Sequence, residues 1–214
     1  MDDRGAVWVG HFQAGLDYSL YQNGLFRTYA YPPQFNSANL SIRSFVNRGP
    51  EKVIGSRDGL FYINEATGIV KSFVKPVLTS DLILTICFYE GEYYIGTYGG
   101  GMMVLNPQTL SLKYFTQGDT ELFQKGHIFC VKPDNRGNLW IGTSQGLFCY
   151  NGQTKQIKNF TSTNSQLPEG NVYEVSFDST GKGWIATETG MCIYDPASQS
   201  LRSNVFPVSY THLR

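Results

Sequence analysis

The sequence predicts an all-β protein built as a β-propeller, and three recurring features predict it. A short apolar strand that ends in Gly or Ala is followed by a tight turn and a returning strand, as over residues 139–150. The Gly or Ala anchors of this unit are spaced by 45, 41, 46 and 44 residues. A strand-rich repeat with a period in the forties indicates propeller blades of four antiparallel strands. The anchors are Gly10, Gly55, Gly96, Gly142 and Ala186.

The repeat divides residues 1–208 into blades, and we predict four strands in each complete blade. The first blade is predicted to lack its inner strand. In the other blades, inner strands are predicted at 42–46, 82–88, 128–132 and 172–177, and outer strands at 69–74, 111–115, 156–160 and 201–206. The segments between blades, including 116–126, are predicted to be connectors. The blades span approximately residues 1–31, 40–74, 82–115, 127–160 and 172–206.

An Asp-x-x-Gly turn precedes each tryptophan of the repeat. Aspartate at the start of such a turn accepts backbone N–H groups two residues on, and glycine takes the positive φ. We expect the tryptophans to be buried, because each removes about 150–250 Å² from water. Anchor glycines let adjacent blades approach closely. The residues predicted to be structural are Trp8, Gly10, Gly55, Gly96, Trp140, Gly142, Trp184 and Ala186.

The charge balance argues against one class of function. The chain has 17 basic and 17 acidic residues, which gives zero net charge. A nucleic-acid-binding protein needs a basic face, so we expect no nucleic-acid partner. No apolar run approaches the roughly 18 residues of a transmembrane helix, so no membrane segment is predicted.

The cysteines indicate packing rather than chemistry. They form no C-x-x-C pair, and no histidine lies at metal-ligand spacing, so we predict neither a metal site nor a cofactor. Most of them lie in apolar strands, which favours buried small side chains. A disulfide between neighbouring blades stays open as an alternative. The four are Cys87, Cys130, Cys149 and Cys192.

The run Trp-Ile-Gly-Thr-x-x-Gly-Leu over residues 140–147, preceded by Asp-x-x-Gly-Asn-Leu, resembles the two-component regulator propeller repeat. The resemblance implies the sensory region of a Bacteroides-type hybrid histidine kinase, located in the periplasm, and many such regions sense oligosaccharides. It also implies a propeller of about seven blades, so the four to five blades here are an incomplete set. Expected partners are a small polar ligand, the remaining blades, and a second propeller or dimer partner. Residues 209–214 do not continue the repeat and are predicted to be a non-native tail.

Function in a propeller is carried by loops at one end, which vary between blades. Turns between second and third strands share a face with the connectors, and we expect them to ring the central opening. Amides, charged groups and aromatic rings suit a sugar ligand. The predicted ligand-binding residues are Gln13, Arg57, Asp58, Asp81, Tyr98, His127, Gln145, Asn171 and Glu188.

Two other functions remain open from the sequence. A propeller enzyme, a lyase or a glycoside-active protein, would need an acid and a base, for which Glu188 with His127 or His11 are candidates. No nucleophile elbow is present, and we predict no catalytic residue. A protein-interaction scaffold would be favoured by exposed aromatic residues in the loops, namely Phe12, Phe35, Tyr98 and Phe123.

Overall fold

The computed structural model describes residues 6–11, 15–20, 26–29, 41–118 and 120–204. For the first three ranges, and for Thr120 and Asn204, the description covers the backbone alone. Four of the predicted features lie outside the described residues. They are the predicted binding residue Gln13, the loop aromatics Phe12 and Phe35, and the tail 209–214. The chain divides into two compact units, Met1–Ile128 and Phe129–Arg214.

The described part of the first unit contains three antiparallel sheets, each with strands in sequence order. The first consists of β1 (Ala6–His11), β2 (Gly15–Leu20) and β3 (Phe26–Tyr29). The second consists of β4 (Ile42–Arg48), β5 (Glu51–Ser56), β6 (Gly59–Asn64) and β7 (Ile69–Phe73). The third consists of β8 (Ile83–Tyr89), β9 (Glu92–Thr97), β10 (Met102–Leu105) and β11 (Leu112–Tyr114).

The second unit contains two further four-stranded antiparallel sheets in its described residues. The fourth sheet consists of β12 (Ile128–Pro133), β13 (Asn138–Thr143), β14 (Gly146–Asn151) and β15 (Ile157–Phe160). The first residue of β12, Ile128, is the last residue of the first unit. The fifth consists of β16 (Val172–Phe177), β17 (Gly183–Thr187), β18 (Met191–Asp195) and β19 (Ser200–Asn204).

These strands confirm the predicted all-β class. The inner strand predicted at 172–177 forms at Val172–Phe177, and the one predicted at 82–88 forms one residue later, at Ile83–Tyr89. β8 is apolar along nearly its whole length and buried on both faces, as expected of a strand covered on two sides. The division into blade ranges remains a prediction.

The predicted connector 116–126 contains a short helix that was not expected from the sequence, α1 (Thr120–Lys125). Leu122 and Phe123 of α1 are almost fully buried, and the Phe123 ring packs edge-on against Phe115 with centroids 5.0 Å apart. A helix of this length has too few turns to show a hydrophobic period. Phe123 is therefore not one of the exposed aromatic residues that would favour a protein-interaction scaffold.

In the first unit, the second and third sheets share one apolar core. Val53, Leu60 and Tyr62 of the second sheet pack with Ile83 and Ile95 of the third. The anchor Gly55 lies where the two sheets approach most closely. A Cβ added to Gly55 would overlap the side chain of Ile83, so only glycine permits this spacing.

In the second unit, Trp140 is the centre of the core between the fourth and fifth sheets. Its side chain is fully buried. The indole stacks on Phe160 at 5.8 Å and meets Tyr194 edge-on at 4.5 Å between ring centroids. A Cβ added to the anchor Gly142 would lie only 2.6 Å from the carbonyl oxygen of Val172 on β16. The fifth sheet therefore packs directly on the backbone of the fourth at this position.

The Asp-x-x-Gly turn of the fourth sheet binds this indole directly. Asp134 Oδ1 accepts the backbone N–H groups of Arg136 at 2.8 Å and Asn138 at 2.9 Å. Asp134 Oδ2 accepts from Trp140 Nε1 at 2.9 Å and from Asn138 Nδ2 at 2.8 Å. The turn and the core are thus joined through one carboxylate, a link that the sequence did not predict.

Trp184 does not follow the expectation that the repeat tryptophans are buried. It is 39% exposed, and the equivalent of Gly142 is Ala186, which is also exposed. The corresponding face of the fourth sheet is covered by Phe177 and Tyr194 of the fifth. Among the described residues, no further sheet covers the Trp184 face of the fifth sheet. A side chain at position 186 is tolerated because no strand packs against it.

All four cysteines are free thiols, so the open alternative of a disulfide is not realised. Burial raises the pKa of Cys130, Cys149 and Cys192 to about 12. Because the thiolate is the reactive form, we expect all four cysteines of the folded chain to react slowly with Ellman's reagent. After unfolding in guanidinium without reductant, all four should react rapidly. Rapid reaction of the folded chain, or fewer than four titratable thiols after unfolding, would contradict this.

Candidate functional site

A repeated hydroxyl contact fixes the turns that carry the predicted binding residues. In the second to fifth sheets, the last residue of the second strand donates its side-chain O–H to the carbonyl of the glycine that opens or precedes the third strand. The distances are 3.0 Å for Ser56 to Gly59, 2.9 Å for Thr97 to Gly101, 2.8 Å for Thr143 to Gly146, and 2.8 Å for Thr187 to Gly190. The turns are therefore held in a defined conformation, and their side chains project from a rigid base.

In the first unit, Tyr98 and His127 form a stacked pair. Their ring centroids are 4.0 Å apart with an interplanar angle of 33°, and Tyr98 is 49% exposed. Connector hydroxyls hold the loop, since Ser80 donates to the Tyr98 carbonyl at 2.9 Å and Thr79 to the Gly100 carbonyl at 2.6 Å. The exposed Tyr98 ring thus lies beside the His127 imidazole, on a loop whose backbone is held by hydrogen bonds from Thr79 and Ser80.

The other candidates of the first unit differ in their surroundings. Arg57 and Asp58 are exposed at the tip of the β5–β6 turn, where the Arg57 N–H donates to the Ser41 carbonyl at 3.0 Å. Asp81 is half-buried, and its Oδ1 accepts the Lys75 backbone N–H at 2.7 Å. Asp81 therefore holds its own connector, whereas Arg57 and Asp58 have side chains available to a ligand.

In the second unit, Asn171 and Glu188 are joined by a pair of hydrogen bonds. The Asn171 N–H donates to Glu188 Oε2 at 3.3 Å, and the Glu188 N–H donates to the Asn171 carbonyl at 2.9 Å. Asn171 Nδ2 also donates to the Tyr173 hydroxyl at 3.1 Å. The result is a cluster of a carboxylate, an amide and a phenol. Gln145 lies at its own turn, exposed, with its N–H bound to Thr143 Oγ1 at 3.0 Å.

Tyr173 is a candidate that the sequence analysis missed. It lies in β16, where the pairing register shifts between Val172 and Glu174. Such a bulge re-aims a side chain, and Tyr173 is 43% exposed, with its ring 5.1 Å from that of Phe129. A bulge of this size does not interrupt the alternation of apolar and polar residues, so no feature of the sequence indicated it.

The structure therefore brings together two pairs of predicted residues, Tyr98 with His127 and Asn171 with Glu188. Arg57 and Asp58 share the turn between β5 and β6, and Gln145 lies at the turn between β13 and β14. The prediction that all these turns ring one opening remains a prediction. Within the described residues, no group of three or more His, Cys, Asp or Glu side chains is arranged to hold a metal ion.

A family comparison identifies the repeat. Residues 123–145 match the family model described as two component regulator propeller. Over these residues, the chain is similar to a two component regulator propeller repeat. This match includes Trp140 and Gly142 of the most regular blade and confirms the resemblance predicted from the sequence. No curated protein sequence matches the chain.

Solved structures extend the likeness along the chain. The extracellular domain of a candidate hybrid two component system from B. thetaiotaomicron is similar over 92% of this chain, with a TM-score of 0.70 and 27% identity. A second such domain from B. thetaiotaomicron is similar over 94%, with a TM-score of 0.74 and 19% identity. PorZ, a surface component of the type-IX secretion system of Porphyromonas gingivalis, is similar over 89%, with a TM-score of 0.70 and 16% identity.

These structures confirm the predicted fold class, a propeller of four-stranded antiparallel blades of which this chain supplies part. The chain spans 26% of each of the two B. thetaiotaomicron domains and 30% of PorZ. At 19% and 16% identity, the likeness shows the fold alone. No helix in the described part of the chain is long and apolar enough to cross a membrane.

Proposed function

We propose that this chain is part of the extracytoplasmic, ligand-sensing propeller of a two-component sensor, and that it binds an oligosaccharide. The observation that carries the proposal is the propeller repeat together with 27% identity, over 92% of the chain, to an extracellular domain of a candidate hybrid two component system. The proposed location is periplasmic. The proposed parent is a histidine kinase whose kinase domain lies outside these residues.

The chemistry of the first-unit turns supports a sugar ligand. A pyranose has an apolar face that packs on an aromatic ring, and Tyr98 offers such a ring, half exposed and backed by His127. Arg57 and Asp58 supply exposed charged groups for hydroxyls, and charged partners strengthen hydrogen bonds. The connector hydroxyls that hold the Tyr98 loop limit the entropy lost on binding.

The Asn171–Glu188 cluster of the second unit supports the same class of ligand. The Glu188 side chain is exposed, and its carboxylate has acceptor capacity beyond the one N–H that it binds. Together with the amide of Asn171 and the hydroxyl of Tyr173, it can accept and donate in the paired manner that vicinal sugar hydroxyls require. The proposal is for binding without turnover, and the ligand acts by favouring one conformation of the sensor.

We expect Tyr98→Ala and Glu188→Ala each to weaken binding of the recognised glycan about tenfold, which corresponds to roughly 1.4 kcal/mol. Titration calorimetry against a panel of glycan fragments measures this. Tyr114→Ala is the matched control, because Tyr114 is 45% exposed but lies on an outer strand away from the turns. Arg57→Ala and Gln145→Ala extend the test. Unchanged affinity in all four turn variants, with folding intact, would place the site elsewhere.

A further inference from the structure

A groove in the second unit lies outside the predicted binding residues. It runs between the outer strands β15 and β19, beside the connector 161–170, and encloses about 420 Å³. Small-molecule sites typically occupy roughly 300–1,000 Å³, so the groove has room for a short saccharide. None of its lining residues belongs to the turns described above.

The floor and one wall of the groove are preformed. Phe160 and Leu201 are 5% and 4% exposed and form an apolar floor. Gln166 Oε1 accepts the Ser203 backbone N–H at 3.2 Å, which ties the connector to β19. The Asn164 Oδ1 accepts the Thr161 N–H at 2.8 Å and closes the start of the connector. A ligand would therefore enter a shape that already exists.

The rim of the groove has an unusual composition. Gln166 and Gln199 present exposed amide side chains, which donate and accept hydrogen bonds. Lys158 is the single charged residue of the lining, and no carboxylate accompanies it. Its ammonium lies 4.8 Å from the centroid of the Phe160 ring, so it sits directly above the floor. The groove thus combines hydroxyl-binding amides with one uncompensated positive charge.

We propose that this groove is a second binding site, which takes an acidic saccharide. The sugar carboxylate binds Lys158, and ring hydroxyls bind the amides of Gln166 and Gln199. A neutral sugar can form hydrogen bonds with the amides but gains no ion pair with the ammonium. An acidic peptide can form the ion pair but has fewer hydroxyl groups to form hydrogen bonds with the amides. The match of both features favours a saccharide that carries a carboxylate.

The test is titration of the chain with tetragalacturonate and with its methyl ester, which has the same skeleton without the charge. The acid is expected to bind about tenfold more tightly than the ester, and added salt should reduce this difference. Lys158→Gln should lower the affinity for the acid to that for the ester. Lys182→Gln is the matched control, because Lys182 is exposed at a different turn. Gln199→Ala should weaken acid and ester equally.

Three results would overturn the proposal. One is equal affinity for acid and ester, and another is an unchanged preference in Lys158→Gln. The third is absence of binding by both tetragalacturonate and a hyaluronan tetrasaccharide at about 1 mM. Tyr98→Ala and Glu188→Ala separate this site from the turn site. Groove binding should be unaffected by both, and its loss in either variant would assign the acidic saccharide to the turns instead.

Discussion

Trp140→Ala is expected to lower the free energy of unfolding by about 3–5 kcal/mol. The indole is fully buried and contacts rings of both sheets, with Tyr194 at 4.5 Å and Phe160 and Phe177 each at 5.8 Å between centroids. Truncation leaves a large cavity that rigid strands cannot fill by collapse, and it removes one donor from Asp134. Urea unfolding monitored by circular dichroism measures the loss.

Trp184→Ala is the matched control, because Trp184 occupies the same position of the repeat in the next sheet. Its side chain is 39% exposed, so we expect a loss of only about 1 kcal/mol. The comparison holds residue type and repeat position constant, and it changes burial together with the hydrogen bond that the Trp140 indole donates to Asp134. Equal losses for the two variants would contradict the assignment of Trp140 as the centre of this core.

Asp134→Ala is expected to lower the free energy of unfolding by about 3 kcal/mol. Its carboxylate accepts four hydrogen bonds, from Arg136, Asn138 and Trp140. Without this carboxylate, the N–H of the fully buried indole has no acceptor. The free-energy cost of a buried donor without an acceptor is larger than the net stabilisation from the hydrogen bond itself. The same urea experiment measures the effect, and Asp134→Asn, which keeps one acceptor oxygen, should give an intermediate loss.

Asp178→Ala provides the control for the turn itself. Asp178 Oδ1 accepts from the N–H and hydroxyl of Thr180 and from the Lys182 N–H. The hydrogen bond from the Thr180 hydroxyl lowers the pKa of Asp178, but the carboxylate is in solvent. We therefore expect a clearly smaller loss than for Asp134→Ala. A loss as large as that of Asp134→Ala would show that the indole contact contributes little.

Strand positions could be predicted from the sequence because the repeats can be aligned with one another. The Trp140 strand and the Trp184 strand each follow an Asp-x-x-Gly turn at the same spacing. Once one strand is placed, the alignment therefore gives the positions of the equivalent strands. The helix Thr120–Lys125 could not be predicted this way, because it interrupts one connector and has no counterpart in the repeat. The buried Phe123 of this helix packs on Phe115, and no position of the repeat predicts this contact.

The environment of each repeat position was less predictable than its location. Trp140 and Trp184 follow an Asp-x-x-Gly turn at the same spacing, yet one is buried and the other is 39% exposed. The difference arises from which face another sheet covers, and local sequence does not record that. For the same reason, the turn residues could be named, but the contacts between Asn171, Glu188 and Tyr173 could not, since they depend on a bulge.

We propose that this chain belongs to a sensor that binds a glycan without transforming it. The most direct measurement is titration of the chain against a broad panel of glycan fragments, followed by mass spectrometry of the recovered ligand. We predict that one class of oligosaccharide binds with saturable heat, loses affinity in Tyr98→Ala and Glu188→Ala, and is recovered unchanged. Absence of binding by every fragment, or recovery of a cleaved or unsaturated product, would contradict the claim.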